Sequence, residues 1–313
     1  MSASWREGGE YCIYTDEWPF EEHRMNLAFE RIRRCDGMLD LADLGFTTLP
    51  PLPENLVELR VDRNHLTSLP SLPPSLKVLI CSRNRLTSLP PLPPSLRVLS
   101  CQANRITSLP ELPSTLRVLR CTFNHLTSLP TLPLLIEMEC SHNQLTALPE
   151  LPLSLQTLDC AVNHLTSLPP LPHLTELDCC RNQLTSLPPL PTTLRTLDCV
   201  ANRIRWLPWL PDHLRVLYCN ENPLEALPEL PRDLGYLMCG MPYGEQVELV
   251  DTTPEEIHRI NTEMGNWMKR QEQQSKARCM ARCAIYKEQI MMKVWHPTRI
   301  EKMLEMGYDV EDM

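Results

Sequence analysis

The sequence predicts an α/β-type solenoid in which short parallel strands stack into a curved sheet, extended returns close each turn, and helices cap both ends. Three observations predict it. Asparagines recur at Asn64, Asn84, Asn104, Asn124, Asn143, Asn163, Asn182, Asn202 and Asn222, in steps of 20 or 19 residues, and a fixed period in this range marks a stacked repeat. Each period carries the unit L-x-x-L-x-C-x-x-N-x-L-T-S-L-P-x-L-P-x-x, so that the stretch from Leu66 to Pro70 returns near-verbatim at Leu86, Ile106, Leu126, Leu165 and Leu184. Of the 31 prolines, 27 lie between Pro50 and Pro231, inside the repeat.

Residues 1–38 precede the repeat. After an aromatic start with Trp5, Tyr11, Tyr14 and Trp18, Pro19 stands where a helix begins, and Met25, Phe29, Ile32 and Cys35 space an apolar stripe up to a stop at Gly37. This segment reads as a helical cap, because a bare end repeat would expose its apolar core.

Residues 39–240 are the solenoid. In each x-L-x triplet, such as Val78-Leu79-Ile80, one apolar side chain points inward between two that point outward, the alternation of a short β-strand. The following Asn is suited to hydrogen-bond backbone groups that the turn leaves without partners. The L-P-x-L-P half cannot be helical, since proline lacks the N–H and pushes its predecessor toward extended conformations. A polyproline-like convex return follows, short enough to close a turn in 20 residues.

Together these residues make the unit resemble the short, proline-containing leucine-rich repeats of effector proteins that bacterial pathogens deliver into host cells, the YopM and IpaH type. The resemblance implies a curved leucine-rich repeat with parallel strands on the concave face, a protein-binding surface, and an effector or adaptor setting. In the ligase branch of that family a catalytic domain with a nucleophilic cysteine near an aspartate follows the repeats. Here Cys279 and Cys283 have no Asp beside them and only about 73 residues remain, so the ligase activity does not carry over and no catalytic residue is assigned.

Residues 241–313 read as a C-terminal helical cap and basic tail. Thr253-Pro254-Glu255-Glu256 has the order of a helix start, and Ile257, Ile260, Met264, Trp267 and Met268 keep helical spacing. From Lys269 to Lys293 seven basic residues face only Glu272 and Glu288, a segment that would suit folding back on an acidic surface. Cys279 and Cys283, four residues apart and with His296 nearby, fall short of the four ligands of structural zinc. The tail Trp295-His296-Pro297-Thr298-Arg299-Ile300 with Gly307-Tyr308-Asp309 is similar to a C-terminal segment common in proteins of large DNA viruses of protists. That similarity implies a viral gene and a protein of the infected cell or the particle.

A net charge of −9 argues against a nucleic-acid partner, whose affinity comes mostly from phosphate neutralisation. No signal-peptide h-region or membrane-length apolar run is present, which predicts a cytoplasmic protein without a membrane partner. Nine of the 14 cysteines, Cys81 through Cys239, occupy one repeat position that Val61 fills in the first full copy. The position therefore asks for packing volume and not for sulfur chemistry, and neither a metal nor a cofactor is expected. There is no phosphate-binding Gly-rich loop and no nucleophile elbow.

Function is expected where the turns differ. The outward column before each Cys reads Arg60, Ile80, Ser100, Arg120, Glu139, Asp159, Asp178, Asp198, Tyr218, Met238. The column two residues earlier reads Glu58, Val78, Val98, Val118, Glu137, Thr157, Glu176, Thr196, Val216, Tyr236. Four consecutive acids with Glu137 and Glu176 beside them repel one another. They point to a basic protein or peptide partner, though the same charges would also serve as a solvated, solubilising surface. Val98, Val118 and Arg120 on one side, with Tyr218 and Tyr236 on the other, complete the expected protein-binding set. An alternative is a substrate-recognition component that recruits a ubiquitin ligase through its C-terminal helices.

Overall fold

The structure, a computed structural model, describes residues 19–240, 246–250, 253, 255, 257–263, 265–266, 269–270, 273–274 and 276–277. The backbone divides into two compact units, Met1–Pro254 and Glu255–Met313. The first is a curved leucine-rich-repeat solenoid. A helix, α1 (Pro19–Arg34), leads into β1 (Met38–Asp40), β2 (Glu58–Arg60), β3 (Val78–Ile80), β4 (Val98–Ser100), β5 (Val118–Arg120) and β6 (Glu137–Glu139). Then come β7 (Thr157–Asp159), β8 (Glu176–Asp178), β9 (Thr196–Asp198), β10 (Val216–Tyr218), β11 (Tyr236–Gly240) and β12 (Gln246–Val250). Turn n of the solenoid is the one that carries strand n. The strands lie in sequence order in one sheet.

Strands β1 to β11 pair parallel and in register, so that Leu39, Leu59, Leu79 and their successors stand directly over one another. The core is this stack together with the Cys column and the columns of Leu66 and Leu76, nearly all at zero exposure, while the first leucine of each L-P-x-L-P return, as at Leu69, closes its edge. Cys81, Cys101, Cys121, Cys140, Cys160, Cys179, Cys199, Cys219 and Cys239 are buried free thiols. Burial pushes the Cys101 thiol up to about 12, which keeps it protonated and unreactive.

The asparagine ladder does what its residue type suggested. Asn163 Nδ2 donates to the carbonyls of Cys140, Cys160 and Ala161, each at 3.1 Å, while its Oδ1 accepts from Leu145 N–H at 3.0 Å. The next rung overlaps it, for Asn182 Nδ2 also donates to Cys160 O, at 3.0 Å. Each cysteine carbonyl in the middle of the stack is thus shared by two asparagines, one from its own turn and one from the next.

The residue before each Asn has a left-handed backbone. Arg63, Arg83, Ala103, Phe123, His142, Val162, Arg181, Ala201 and Glu221, with Asp43 in the first turn, have φ between 51° and 57°. None is glycine or asparagine, the residues that adopt this conformation at least cost. The four hydrogen bonds of the adjoining Asn hold the turn in place.

A second ladder runs along the returns. Ser95 Oγ donates to Pro74 O and Leu76 O at 2.6 and 2.7 Å, and Thr115 Oγ1 repeats the arrangement one turn on. Two turns are a residue short, and both deletions fall between the second proline and the core leucine, at Pro133-Leu134-Leu135 and Pro172-His173-Leu174. In the first of them the ordinary bond, as from Leu116 N to Pro113 O, is replaced by one from Leu135 N to Pro133 O at 2.8 Å, and in both the hydroxyl gives way to Leu134 or His173.

The two ends of the sheet differ. At the N-terminal end α1 packs on β1, and Arg31 Nη1 donates to Asp40 O at 2.6 Å. The helix turns a different residue inward than the apolar stripe implies. Ala28 is fully buried, Met25, Ile32 and Cys35 are half-buried, and Phe29 is 44% exposed, because the small side chain lets the helix axis approach closely. The helix ends before Gly37, whose φ of 104° favours glycine. At the other end β12 pairs antiparallel with β11, a strand the sequence reading did not anticipate, and ends the parallel stacking.

In the second unit the described residues from 255 onward are helical, and Ile257 and Ile260 are buried. Met264, Trp267, Met268, Cys279, Cys283, His296 and the tail from Trp295 lie outside the described residues. So do Trp5 through Trp18 and, apart from scattered positions, the basic segment Lys269 to Lys293. No helix among the described residues is long and apolar enough to cross a membrane.

Candidate functional site

Strands β7, β9 and β10 bury their middle residue and half-bury its two neighbours, and β8 differs only in leaving Glu176 exposed, the inward–outward alternation expected of x-L-x. The concave columns are only half exposed because neighbouring turns stack about 4.8 Å apart and side chains pack flank to flank. The expected binding residues are all on this face, but they are not one continuous acidic surface.

Arg120 splits the set. Its Nε lies 2.6 Å from Glu137 Oε1 and 3.3 Å from Glu139 Oε1, while Gln102 Nε2 donates to Glu139 Oε2 at 2.7 Å. Burial is the main reason that the Glu139 carboxyl is pushed above its usual range, with Arg120 opposing it. Two of the expected acids are therefore largely neutralised within the protein, and Arg120 belongs to that internal network.

The remaining acids are Asp159, Asp178, Asp198 and the exposed Glu176. Each Asp Oδ1 accepts from the backbone N–H two residues on, Ala161, Cys180 and Val200 respectively, at 3.0 to 3.1 Å. Ser141 Oγ donates to Asp159 Oδ2 at 2.7 Å. Among the described residues no lysine or arginine forms an ion pair with any of the three aspartates. Burial pushes Asp159 upward, and it pushes Asp198 up to about 6 with Asp178 adding to it. Negative charge is thus held on this face at an electrostatic cost that the hydrogen bonds to Asp159 and Asp198 offset only in part.

A third column, one residue beyond each Cys, contributes Gln102, Ser141 and Cys180 to the same face. The sequence reading stopped at two columns. The signal was there, since strand alternation carried two residues further past Asp178 arrives at Cys180. The ligand atoms of Asp178, Cys180 and Asp198 lie within 4.8 Å of one another. Three donors are one short of structural zinc, and the thiol is pushed up chiefly by burial and next by Asp178, so this group reads as part of the acidic surface.

Apolar residues flank the acids. Val98 and Val118 are half-buried toward the N-terminal side. On the other side Tyr218 and Tyr236 form a tilted aromatic pair with ring centroids 5.0 Å apart. The face thus sets half-desolvated carboxylates between apolar borders.

These features define the class of protein as a leucine-rich-repeat solenoid with a displayed concave face. The Leucine Rich repeats (2 copies) family matches residues 74–114 and 153–192. Among solved structures the chain is similar to YopM from Yersinia enterocolitica WA-314, at 36% identity and a TM-score of 0.40, covering 60% of this chain and 51% of that one. It is also similar to YopM, a leucine-rich effector protein from Yersinia pestis, at 28% identity and a TM-score of 0.36, over 69% of this chain and 87% of that one. A Shigella effector LRR domain matches at 26% identity and a TM-score of 0.38, over 66% and 83%. The chain thus spans about half the length of the first of these, 51%. None of the curated proteins matches it.

Proposed function

We propose that the protein is a non-enzymatic interaction scaffold whose concave face binds a basic protein or peptide across turns 7 to 9. The observation that carries this reading is the row Asp159, Asp178 and Asp198, three carboxylates on adjacent strands that no lysine or arginine among the described residues pairs with. Like charges placed about 4.8 Å apart disfavour the fold, and a Lys- or Arg-bearing segment lying along the stack relieves that repulsion. Because the strands fix the carboxylates beforehand, little conformational entropy is lost on binding. Tyr218 and Tyr236 supply an aromatic anchor at one end of the row. An effector or adaptor role inside a host cell is the setting that the resemblance to YopM-type effectors suggests.

The test is fluorescence anisotropy of the full chain with a labelled peptide of alternating Lys and Leu. The triple variant Asp159→Asn, Asp178→Asn, Asp198→Asn keeps the acceptors for the three backbone N–H groups and removes the charge. It is expected to bind at least about tenfold more weakly at low salt. Equal binding by the two proteins sinks the reading.

A further inference from the structure

The edge where the chain leaves the strands carries the opposite charge, and the proposed concave site makes no use of it. Two exposed or half-exposed positions flank each Asn of the ladder. Through turns 2 to 9 they read Arg63 and His65, Arg83 and Arg85, Ala103 and Arg105, Phe123 and His125, His142 and Gln144, Val162 and His164, Arg181 and Gln183, Ala201 and Arg203. No carboxylate occupies any of them. At the two ends of the edge the same left-handed position holds Asp43 in turn 1 and Glu221 in turn 10, and Asp62 stands in the neighbouring third column of turn 2.

Positive charge concentrates in turns 2 to 4. Arg63, Arg83, Arg85 and Arg105 are all exposed, and among the described residues their guanidinium groups make no ion pair or hydrogen bond. Packing does not select arginine here, because the same left-handed position holds Ala103, Phe123, His142 and Val162 in other turns at nearly the same φ. Four unpaired cations within three turns repel one another at a strand spacing of about 4.8 Å.

On the concave face of turns 2 to 5, Val78, Ile80, Val98 and Val118 form a half-buried aliphatic strip, with the third column of Asp62, Ser82 and Gln102 between it and the arginines, and Glu58 there is taken by Arg60 at 2.6 Å. An aliphatic strip bordered by a cationic edge is complementary to one kind of surface, an apolar stripe bordered by carboxylates.

We propose that turns 2 to 5 form a second binding surface, for an acidic amphipathic helix of a protein partner. A helix about 10–12 Å across lying along the stack would rest its apolar stripe on Val78, Ile80, Val98 and Val118. Its acidic flank would then face Arg63, Arg83, Arg85 and Arg105. Carboxylates at i and i+4 stand about 6 Å apart along a helix, against a strand spacing of about 4.8 Å, a difference that long side chains absorb over three turns. A nucleic acid fits less well. The strip offers bases neither aromatic platforms nor donors, and Phe123, the edge's one large aromatic carbocycle, is stacked on His142 at 4.0 Å.

The test uses the full chain and three labelled probes: a Leu/Glu amphipathic helical peptide of about five turns, the same peptide with Lys for Glu, and a short oligo-dT. Wild type is expected to bind the Glu peptide in a salt-sensitive manner. The variant Arg83→Glu with Arg85→Glu, at two exposed positions, should bind it at least about tenfold more weakly, and Arg83→Gln with Arg85→Gln should show a smaller loss in the same direction. The aspartate-to-asparagine triple in turns 7 to 9 should leave Glu-peptide binding intact, so this surface and the concave acidic site stand or fall separately. Failure of wild type to bind the Glu peptide, equal binding by both arginine variants, or tighter binding of oligo-dT would overturn the proposal.

Discussion

The shared carbonyls of the asparagine ladder make a quantitative prediction about how turns support one another. Replacing Asn163 by Ala removes four hydrogen bonds, but three of the groups left behind keep another partner. Cys140 O retains Asn143, Cys160 O retains Asn182, and Ala161 O retains His142 N–H. Only Leu145 N–H is orphaned. A buried orphan costs about 1–3 kcal/mol and each of the three shared bonds about 0.5, so Asn163→Ala should destabilise by about 2.5–4.5 kcal/mol, and Asn182→Ala by a similar amount. When both are replaced, Cys160 O loses both of its donors. The adjacent double variant should therefore exceed the sum of the singles by about 1–3 kcal/mol. Asn104→Ala with Asn163→Ala, three turns apart with no shared carbonyl, should add to within about 0.5 kcal/mol. Urea unfolding of the four proteins in each cycle, followed by circular dichroism and tryptophan fluorescence with coincident transitions, measures both couplings. A coupling near zero for the adjacent pair would refute shared satisfaction as the source of cooperation between turns.

The left-handed residues supply another prediction, since glycine at Ala103 (φ 53°) or Val162 (φ 51°) relieves steric cost and should raise the urea midpoint by an amount equivalent to about 0.5–1 kcal/mol; a lowered midpoint at both sites would contradict the strain. For Asp198, held at about 6 against an ordinary 3.8, the fold opposes ionisation. The penalty is fully present above pH 6 and disappears as pH falls toward 3.8. Asp198→Asn should therefore stabilise at pH 7.5 and lose that advantage by about pH 4, as read from melting temperatures across that range. In wild type, binding of the Lys/Leu peptide should weaken as pH drops through 6, where Asp198 takes up its proton. The Cys180 thiol, pushed up by burial and Asp178, should alkylate with iodoacetamide more slowly than free cysteine at pH 8, and Asp178→Asn should speed that reaction. Mass spectrometry of the modified peptide reports both rates.

How much of this was legible in the sequence follows from where each signal resides. The parallel strands, the returns and the helix at Pro19 were readable because each turn repeats the same apolar spacing and proline excludes helix wherever it recurs. The left-handed turn was not, for its residue types, from Asp43 to Val162 to Glu221, include none of the glycines that usually announce it. Strand β12 was missed because it breaks the period and pairs antiparallel. At the site, the columns came directly from strand alternation, but the pairing of Arg120 with Glu137 and Glu139 did not. That network joins turn 5 to a turn one residue shorter, and it depends on how far a guanidinium reaches and not on any pattern in the letters.

The two short turns lose their residue in the return, and every full turn keeps the same interval from Cys to Asn, as at Cys121 to Asn124 and Cys140 to Asn143. Length is thus tolerated on one side of the molecule and prohibited on the other, which makes the whole turn the smallest unit that can be gained or lost without disturbing the ladder. The display surface is in effect a ruler graduated in steps of about 4.8 Å. Its reach can be reset by inserting or excising one turn, and any partner that touches both the arginine edge and the aspartate row reads the number of graduations between them.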